Sequence, residues 1–454
     1  MDRYDVVIIG AGQAGVPLAF DLAEAGKKTA LIERKHLGGS CVNFGCTPTK
    51  AAITSARLAH LARRASEFGL RIPAVEVDFA AVIARARGIV DSQRSSLERA
   101  FEGKRNLTLI RAQGRLEGRE GDRFRIRAGD QILLADQVVL DTGTRSVIPP
   151  IEGIDAVPVV HAGNWLDLSA LPARLIVIGG GVIALEMAQF YRRMGSAVSV
   201  IETQSRIAHT EDADVADALQ DLLEGEGIEF HLDSNIERVE ARGGAVCVEV
   251  KGKGEIAGSH LFVATGRKPN TDDLGLESVG VAVDGGIVRV DERLATNIRG
   301  VWAAGDIRGG PMFTHTAWDD YRVLYSQIAG DRSRTTRRIV PYAIFTDPEV
   351  GRVGLTESEA RKEGKSVHVA RYEVRRNAKA LEEGETEGFI KVVADATTGQ
   401  LLGAALLCHD AAELVHIYID LMNAGAPYRV IRDAVFIHPT LAEAVQSAVS
   451  AHGS

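Results

Sequence analysis

The sequence predicts an α/β fold built from two Rossmann-like dinucleotide-binding units followed by a C-terminal α+β module. Three observations carry that prediction. A strand, glycine turn, helix, strand and carboxylate follow one another twice, once from Gly10 and once from Gly179. The closing carboxylates, Glu33 and Glu202, each stand 23 residues after the first glycine of their copy. No such motif recurs after residue 336, where strand and helix patterns of another kind take over.

In the first unit, the apolar run Val6 to Ile9 reads as a strand buried on both faces. Gly10-Ala11-Gly12-Gln13-Ala14-Gly15 follows, then a helical stretch with Leu18, Leu22 and Ala25, and a second run, Thr29 to Ile32, ending at Glu33. The second unit repeats this as Leu175 to Ile178, Gly179-Gly180-Gly181-Val182-Ile183-Ala184, a helix carrying Met187 and Phe190, and Val198 to Ile201 ending at Glu202. The first glycine permits a tight turn and the second lets a diphosphate approach the backbone. The third small residue allows close packing, the helix N-terminus attracts phosphate, and the final carboxylate accepts ribose hydroxyls. One such motif alone is weak evidence; two in matched context are strong.

Shorter signals fill the gaps. Val138 to Gly143 (with Thr142 before the glycine) and Leu261 to Arg267 (with Gly266) each read as a strand meeting a glycine turn, and Val301 to Asp306 as a strand ending at a glycine and a carboxylate. Arg332 to Arg338 reads as a basic, solvated connector. The last module shows strand runs at Phe389 to Ala394 and Leu401 to Cys408, and a helix whose Thr356 and Glu359 form a capping box. A further helix places Leu414, Ile417 and Leu421 on one face.

A chain of 454 residues, 45% apolar and 25% charged, has room for about three globular domains. A net charge of −8 argues against nucleic-acid or anionic-membrane partners, which attract basic surfaces. No secretory leader or membrane-spanning run is evident; the longest apolar candidate, Leu175 to Phe190, contains three glycines and Glu186. A cytoplasmic location is the expectation. In that reducing setting, four cysteines are too few for a disulfide scaffold.

Two of the four lie in Gly38-Gly39-Ser40-Cys41-Val42-Asn43-Phe44-Gly45-Cys46-Thr47-Pro48-Thr49-Lys50. Gly45 and Pro48 allow the backbone to distort so that thiols five apart can approach. A helix start lowers thiol pKa, and Lys50, one turn after Cys46, adds positive charge on that face. Zinc is the rival reading, but the sequence offers no second C-x-x-C or H-x₃-H cluster, so no metal site is expected. Cys247 and Cys408, inside apolar runs, read as buried and inert.

This cysteine segment closely resembles the active-site signature of the class I pyridine nucleotide–disulfide oxidoreductases, which include glutathione reductase, dihydrolipoamide dehydrogenase, mercuric reductase and the reactive-chlorine-resistance oxidoreductases. The resemblance spans essentially the whole chain: first glycines, cysteine pair, second glycines, Ala264-Thr265-Gly266-Arg267, Gly305-Asp306 and His438-Pro439-Thr440. It implies an FAD-binding domain in two parts, 1–145 and 266–335, an NAD(P)-binding domain at 146–265 and a dimerisation domain at 336–454.

By that resemblance Gly10, Gly12, Gly15 and Glu33 hold FAD together with Thr142, Gly143 and Asp306, whereas Gly179, Gly181, Glu202 and Gly266 take the nicotinamide cofactor. Cys46 is the thiol against the flavin, Cys41 the thiol that meets substrate, and Lys50 pairs with Glu186 beside the flavin. In disulfide-reducing members a histidine matching His438, oriented by a glutamate matching Glu443, comes from the second subunit and moves protons for the thiols. A homodimer follows. Imidazole suits that task because it titrates near neutral pH.

The cofactor signals conflict. Glu202 suits the free 2′-hydroxyl of NADH and repels a 2′-phosphate, while Arg206 and Ala184 point towards NADPH. The charge argument is the more direct, so NADH is expected, with NADPH the alternative. The acceptor is expected to be a small disulfide, a reactive-sulfur compound or a related thiol-reactive molecule. A metal-ion reductase acting on Hg(II) or Cu(II), a dihydrolipoamide dehydrogenase, and a nucleotide-binding interaction protein with a structural flavin are the alternatives. Mercuric reductases typically carry a C-terminal cysteine pair, which the tail Ala448 to Ser454 lacks. The segment Gly309 to Arg322 looks most like the mercuric-reductase-like and reactive-chlorine-resistance group, and His315 within it reads equally as a flavin-site or a packing residue.

Overall fold

Residues 2–451 are described by the computed structural model; Met1 and the last part of the tail read above, 452–454, lie outside them. Strands Asp2–Ile9 and Thr29–Glu33 pair in parallel, Val6 beside Thr29 and Ile9 beside Ile32. Val6, Val7, Ile8 and Leu31 are fully buried, as an apolar run covered on both sheet faces requires. Around this pair the spatial order is Leu107–Arg111, Thr29–Glu33, Asp2–Ile9, Gln131–Leu140, Arg123–Ala128 and Gly114–Glu120. Val301–Ala303, from far along the chain, adds in parallel to Gln131–Leu140.

The second sheet is wholly parallel, in the order Ile228–His231, Ala197–Ile201, Arg174–Ile178, His260–Val263 and Val159–His161. An antiparallel meander, Ile236–Arg242, Ala245–Val250 and Gly254–Gly258, stands beside it. The third layer is a five-stranded antiparallel sheet, Tyr342–Ile344, Glu349–Gly354, Leu401–Cys408, Phe389–Asp395 and Val367–Glu373. Helices Ala411–Asn423 and Ala442–Ser450 close one core with it, in which Tyr418 donates to the carbonyl of Val445 at 2.9 Å. The capping box forms, with Thr356 accepting from the Glu359 amide at 3.0 Å. Among the described residues no helix is long and apolar enough to cross a membrane.

One hydrophobic core runs through all three parts, joining Ala52 and Phe79 of the first unit, Phe190 and Tyr191 of the second, and Ile344 and Leu407 of the third sheet. A buried ionic network reinforces it. Arg193 pairs with both Glu226 and Asp347, and Arg57 reaches Asp347 and Glu385. The basic connector departs from its sequence reading at one end. Arg338 is largely buried and pairs with Asp319 and Asp320, and Arg308 binds Asp320 from the other side. Its charge is spent on two carboxylates of helix Thr314–Ile328 rather than on solvent. Removing one member of a buried network leaves an uncompensated charge. Arg193→Met should therefore lower unfolding free energy by roughly 3–5 kcal/mol, read from the urea midpoint; a change within error would contradict the network's role.

Candidate active site

The cysteine segment folds as two helical pieces. Gly39–Asn43 ends at Phe44, and a new helix, Cys46–Arg63, starts after Gly45, whose ψ of −117° is not helical. A side chain at Gly45 would lie 3.2 Å from the Ser40 carbonyl. Gly39, at φ +62°, brings the segment onto the glycine turn of the first unit, where an added Cβ would meet Gly12 Cα at 2.9 Å. Asn43 staples the piece, donating to the carbonyls of Leu37 and Gly39 at 2.9 and 2.8 Å and accepting from Arg94 at 2.9 Å.

Cys41 and Cys46 are thiols within hydrogen-bonding reach of one another. Cys46 Sγ also lies 3.2 Å from Thr314 Oγ1. The Cys41 hydrogen bond lowers the Cys46 thiol to about 6, with Thr314 and the Lys50 charge acting in the same direction and burial opposing them. The same bond, then burial, pushes the Cys41 thiol up. The two shifts run in opposite directions, so the pair favours its negative charge on Cys46 and its proton on Cys41.

Lys50 Nζ is 2.7 Å from Glu186 Oε2, and Glu186 is almost wholly buried. Its other oxygen accepts from the Phe345 amide at 2.9 Å, and the Phe345 ring lies 4.3 Å beneath the Lys50 ammonium. The structure thus brings together Cys41, Cys46, Lys50 and Glu186, all singled out from sequence. Thr314 and Phe345 were not. They reach the site from distant parts of the chain, and no spacing marks them. His315 Nε2 donates to the Pro341 carbonyl at 2.7 Å, and its ring stacks on Phe313 with centroids 5.3 Å apart.

Both glycine turns fit a dinucleotide. Gly10 and Gly179 adopt φ +106° and +110°, and a Cβ at either would strike a carbonyl, of Asp141 at 2.1 Å or Ala264 at 2.5 Å. Added side chains at Gly12 and Gly15 would meet Asp141 Oδ2 at 2.7 and 2.9 Å. Gly181 and Gly266 face open space. The glycines leave bare backbone at these positions of each turn, which is what a diphosphate on a helix N-terminus needs. Glu33 accepts from the amides of Ala11 (3.0 Å) and Lys35 (2.7 Å), and Glu202 accepts from those of Gly180 and Gln204 (2.8 Å). Arg206 is tied to Asp217 at 2.7 Å.

Thr142 donates to the Asn270 carbonyl at 2.8 Å, while Gly143, at φ +62°, has nothing within 4 Å of an added Cβ. Asp306 is set by Thr144, which donates to it at 2.9 Å and itself accepts from Arg267 at 2.7 Å. Thr144 and Arg267 were also absent from the residues given roles by sequence. His438 is exposed, with Nδ1 at 3.1 Å from both Glu443 oxygens, and Glu443 accepts from the Thr440 amide at 2.9 Å. Among the described residues no hydrogen bond or ion pair joins this pair to the cysteines of the same chain.

Comparison with known proteins gives a consistent answer. The pyridine nucleotide-disulphide oxidoreductase model matches residues 4–320, and the dimerisation domain model of the same name matches 340–449. The probable pyridine nucleotide-disulfide oxidoreductase RclA of Escherichia coli (strain K12) is 34% identical over 456 residues, covering 99% of each chain. Dihydrolipoyl dehydrogenase of Chlorobaculum tepidum is 34% identical over 453 residues, covering 98% of this chain and 96% of that one. Among solved structures, a Cu(II) complex of the HOCl-induced flavoprotein disulfide reductase RclA from Escherichia coli superposes with a TM-score of 0.91 at 33% identity, over 99% of each chain.

In the dithiol form, the Cys46 thiolate should appear with a midpoint near pH 6, read by pH-dependent alkylation and peptide mass spectrometry. Lys50→Met should move that midpoint upward, since the ammonium favours the thiolate; an unmoved midpoint would contradict the assigned electrostatics.

Proposed function

We propose a function from one premise: the chain belongs to the pyridine nucleotide-disulphide oxidoreductase family. It is an FAD-dependent enzyme that uses NAD(P)H, and the alternative of a non-enzymatic nucleotide-binding protein falls. We infer that electrons pass from the nicotinamide, through FAD, to Cys41 and Cys46, and from there to a small disulfide, a reactive-sulfur compound or a related thiol-reactive acceptor. The observation that carries this is the placement of Cys41 and Cys46 within hydrogen-bonding reach of one another, with Cys46 opening helix Cys46–Arg63 and the Lys50–Glu186 pair one turn beyond it.

Gly10, Gly12, Gly15, Glu33, Thr142, Gly143 and Asp306 would hold FAD; Gly179, Gly181, Glu202 and Gly266 would hold the nicotinamide cofactor. Bound FAD supplies the two-electron link between nicotinamide and sulfur. Lys50, fixed by Glu186, keeps positive charge beside Cys46. Opening the Cys41–Cys46 bond takes one proton and two electrons, which bound FAD would supply, so that each sulfur ends with its own electron pair, Cys46 as thiolate and Cys41 as thiol. Deprotonated Cys41 then attacks the acceptor disulfide, releasing one thiol and leaving a mixed disulfide. Cys46 attacks Cys41, the second thiol leaves, and the intrachain bond reforms. Per turnover, one NAD(P)H, one proton and one disulfide become NAD(P)⁺ and two thiols.

His438 of the partner subunit would carry protons for Cys41 and the leaving thiol, with Glu443 holding its ring. The matched dimerisation domain supports a homodimer, and the exposure of the His438–Glu443 pair on that domain suits delivery across it. Glu202 supports NADH over NADPH, as does the engagement of Arg206 by Asp217. A reducing, cytoplasmic setting suits a chain whose remaining cysteines, Cys247 and Cys408, are buried thiols.

One observation favours a second reading, a metal-ion reductase: the Escherichia coli relative is described as a Cu(II) complex, and two thiols form a soft ligand pair. A panel of acceptors (small disulfides, lipoamide, Cu(II), Hg(II), quinones) assayed with each nicotinamide separates the two. Disulfide turnover should fall roughly a hundredfold or more in His438→Ala and vanish in Cys41→Ser. Metal-dependent NADH oxidation that survives His438→Ala but not Cys41→Ala would instead establish the second reading. Cys46→Ser should abolish the long-wavelength thiolate–flavin absorbance of the reduced enzyme while Cys41→Ser keeps it; equal disulfide turnover in both would refute the division of roles. Glu202→Ala should erode the preference for NADH, seen as converging kcat/KM values for the two nicotinamides.

A further inference from the structure

The two dinucleotide units share their backbone plan, and they differ at one buried position. In each unit the residue just after a strand beside the first one donates its amide to that first strand: Asp141, after Gln131–Leu140, to Ile9 at 2.8 Å, and Ala264, after His260–Val263, to Ile178 at 2.9 Å. The carbonyls of these two residues back the first glycine of their turns. Ala264 contributes nothing further. Asp141 instead places a fully enclosed carboxyl under the turn, with Oδ2 accepting from the Gly15 amide at 2.7 Å and the Gly12 amide also directed at it.

Gly15 opens helix Gly15–Glu24, so its amide belongs to the set of free donors that a helix N-terminus offers to phosphate. In the second unit the corresponding residue is Ala184, the third residue of helix Val182–Met194, and the residue in the place of Asp141 is Ala264, which has no carboxyl. The first unit has therefore committed one of those donors to an internal carboxyl. The charged groups that act on that carboxyl are themselves carboxylates. Asp306 faces it from the Gly305–Arg308 turn and Asp320 from helix Thr314–Ile328, while the nearby cations Arg308 and Arg338 are already paired to Asp320. A side chain at Gly305 would come within 3.0 Å of Asp141 Oδ1, so the Gly305–Arg308 turn packs directly against the carboxyl.

We propose that Asp141 is a positioning residue for FAD that carries a proton while the diphosphate rests on the Gly10–Gly15 turn, so that FAD is released more readily as pH rises. This rests on the reading that the first unit is the FAD unit. Two negative phosphates on one side of the turn and a carboxylate on the other would repel across bare backbone, in a region shielded from water. A neutral carboxyl keeps one oxygen as acceptor for Gly15 and removes the repulsion. Burial, reinforced by Asp306 and Asp320, already raises this carboxyl well above the usual range. The sign follows by linkage. Diphosphate binding raises the proton affinity of Asp141, a proton is taken up with FAD, and affinity falls as pH climbs through the carboxyl's titration.

The test uses the holoenzyme. The rate at which FAD fluorescence appears on dilution is followed between about pH 6 and about pH 9 for wild type and Asp141→Asn, which keeps the acceptor to Gly15 but cannot ionise. Wild-type release should accelerate by at least about tenfold across that range, whereas Asp141→Asn should be flat and no faster than wild type at the upper end. A flat wild-type profile overturns the proposal without recourse to any variant. Equal slopes in the two proteins overturn it as well. A variant that alters the KM for nicotinamide and leaves FAD release untouched would show instead that the two units had been assigned the wrong way round.

Discussion

The interruption of helical geometry at Phe44 and Gly45 is the constraint on which the chemistry depends. In one continuous helix, residues five apart project about 140° from one another around the axis, and Cys41 and Cys46 would face different surroundings. Ending Gly39–Asn43 and restarting at Cys46 places the two thiols together. It also makes Cys46 the first residue of an 18-residue helix, where the macrodipole favours a thiolate. The proton that Cys41 retains is the other half of that asymmetry.

The surroundings hold this arrangement from all three layers. Lys50 lies one turn beyond Cys46, and its ammonium is fixed by Glu186 of the second unit and the Phe345 ring of the third. Two residues beyond Phe345, Asp347 enters the buried network with Arg193 and Arg57. The ion pairs that join the layers therefore also locate the cation whose charge acts on Cys46. Thr314, from the helix whose Asp320 anchors Gly305 and Arg308, completes the contact with Cys46. Stability and site geometry share the same charged groups.

Patterns confined to a short stretch of chain were legible in the sequence. The two glycine turns, their closing carboxylates, the capping box at Thr356 and the buried state of Cys247 and Cys408 all follow from local spacing or from apolar surroundings. The Lys50–Glu186 pair came from resemblance, since 136 residues separate its members. Thr314, Phe345, Thr144 and Arg267 escaped notice because each acts through a contact that only the folded chain creates, and none has an unusual residue type for its place. Asp141 lies in the run Val138 to Gly143, which reads as a strand meeting a glycine turn, and only the fold encloses its carboxyl beneath Gly12 and Gly15. Arg338 looked solvated because its two carboxylate partners lie 18 and 19 residues earlier, on a helix that turns back towards it.

The most direct test of the account is a count of reactive thiols by differential alkylation and peptide mass spectrometry, before and after anaerobic addition of NADH. The oxidised protein should show Cys41 and Cys46 protected, and reduction should expose both while Cys247 and Cys408 stay unchanged. Two cysteines alkylated to the same extent with and without NADH would contradict a redox role for the pair.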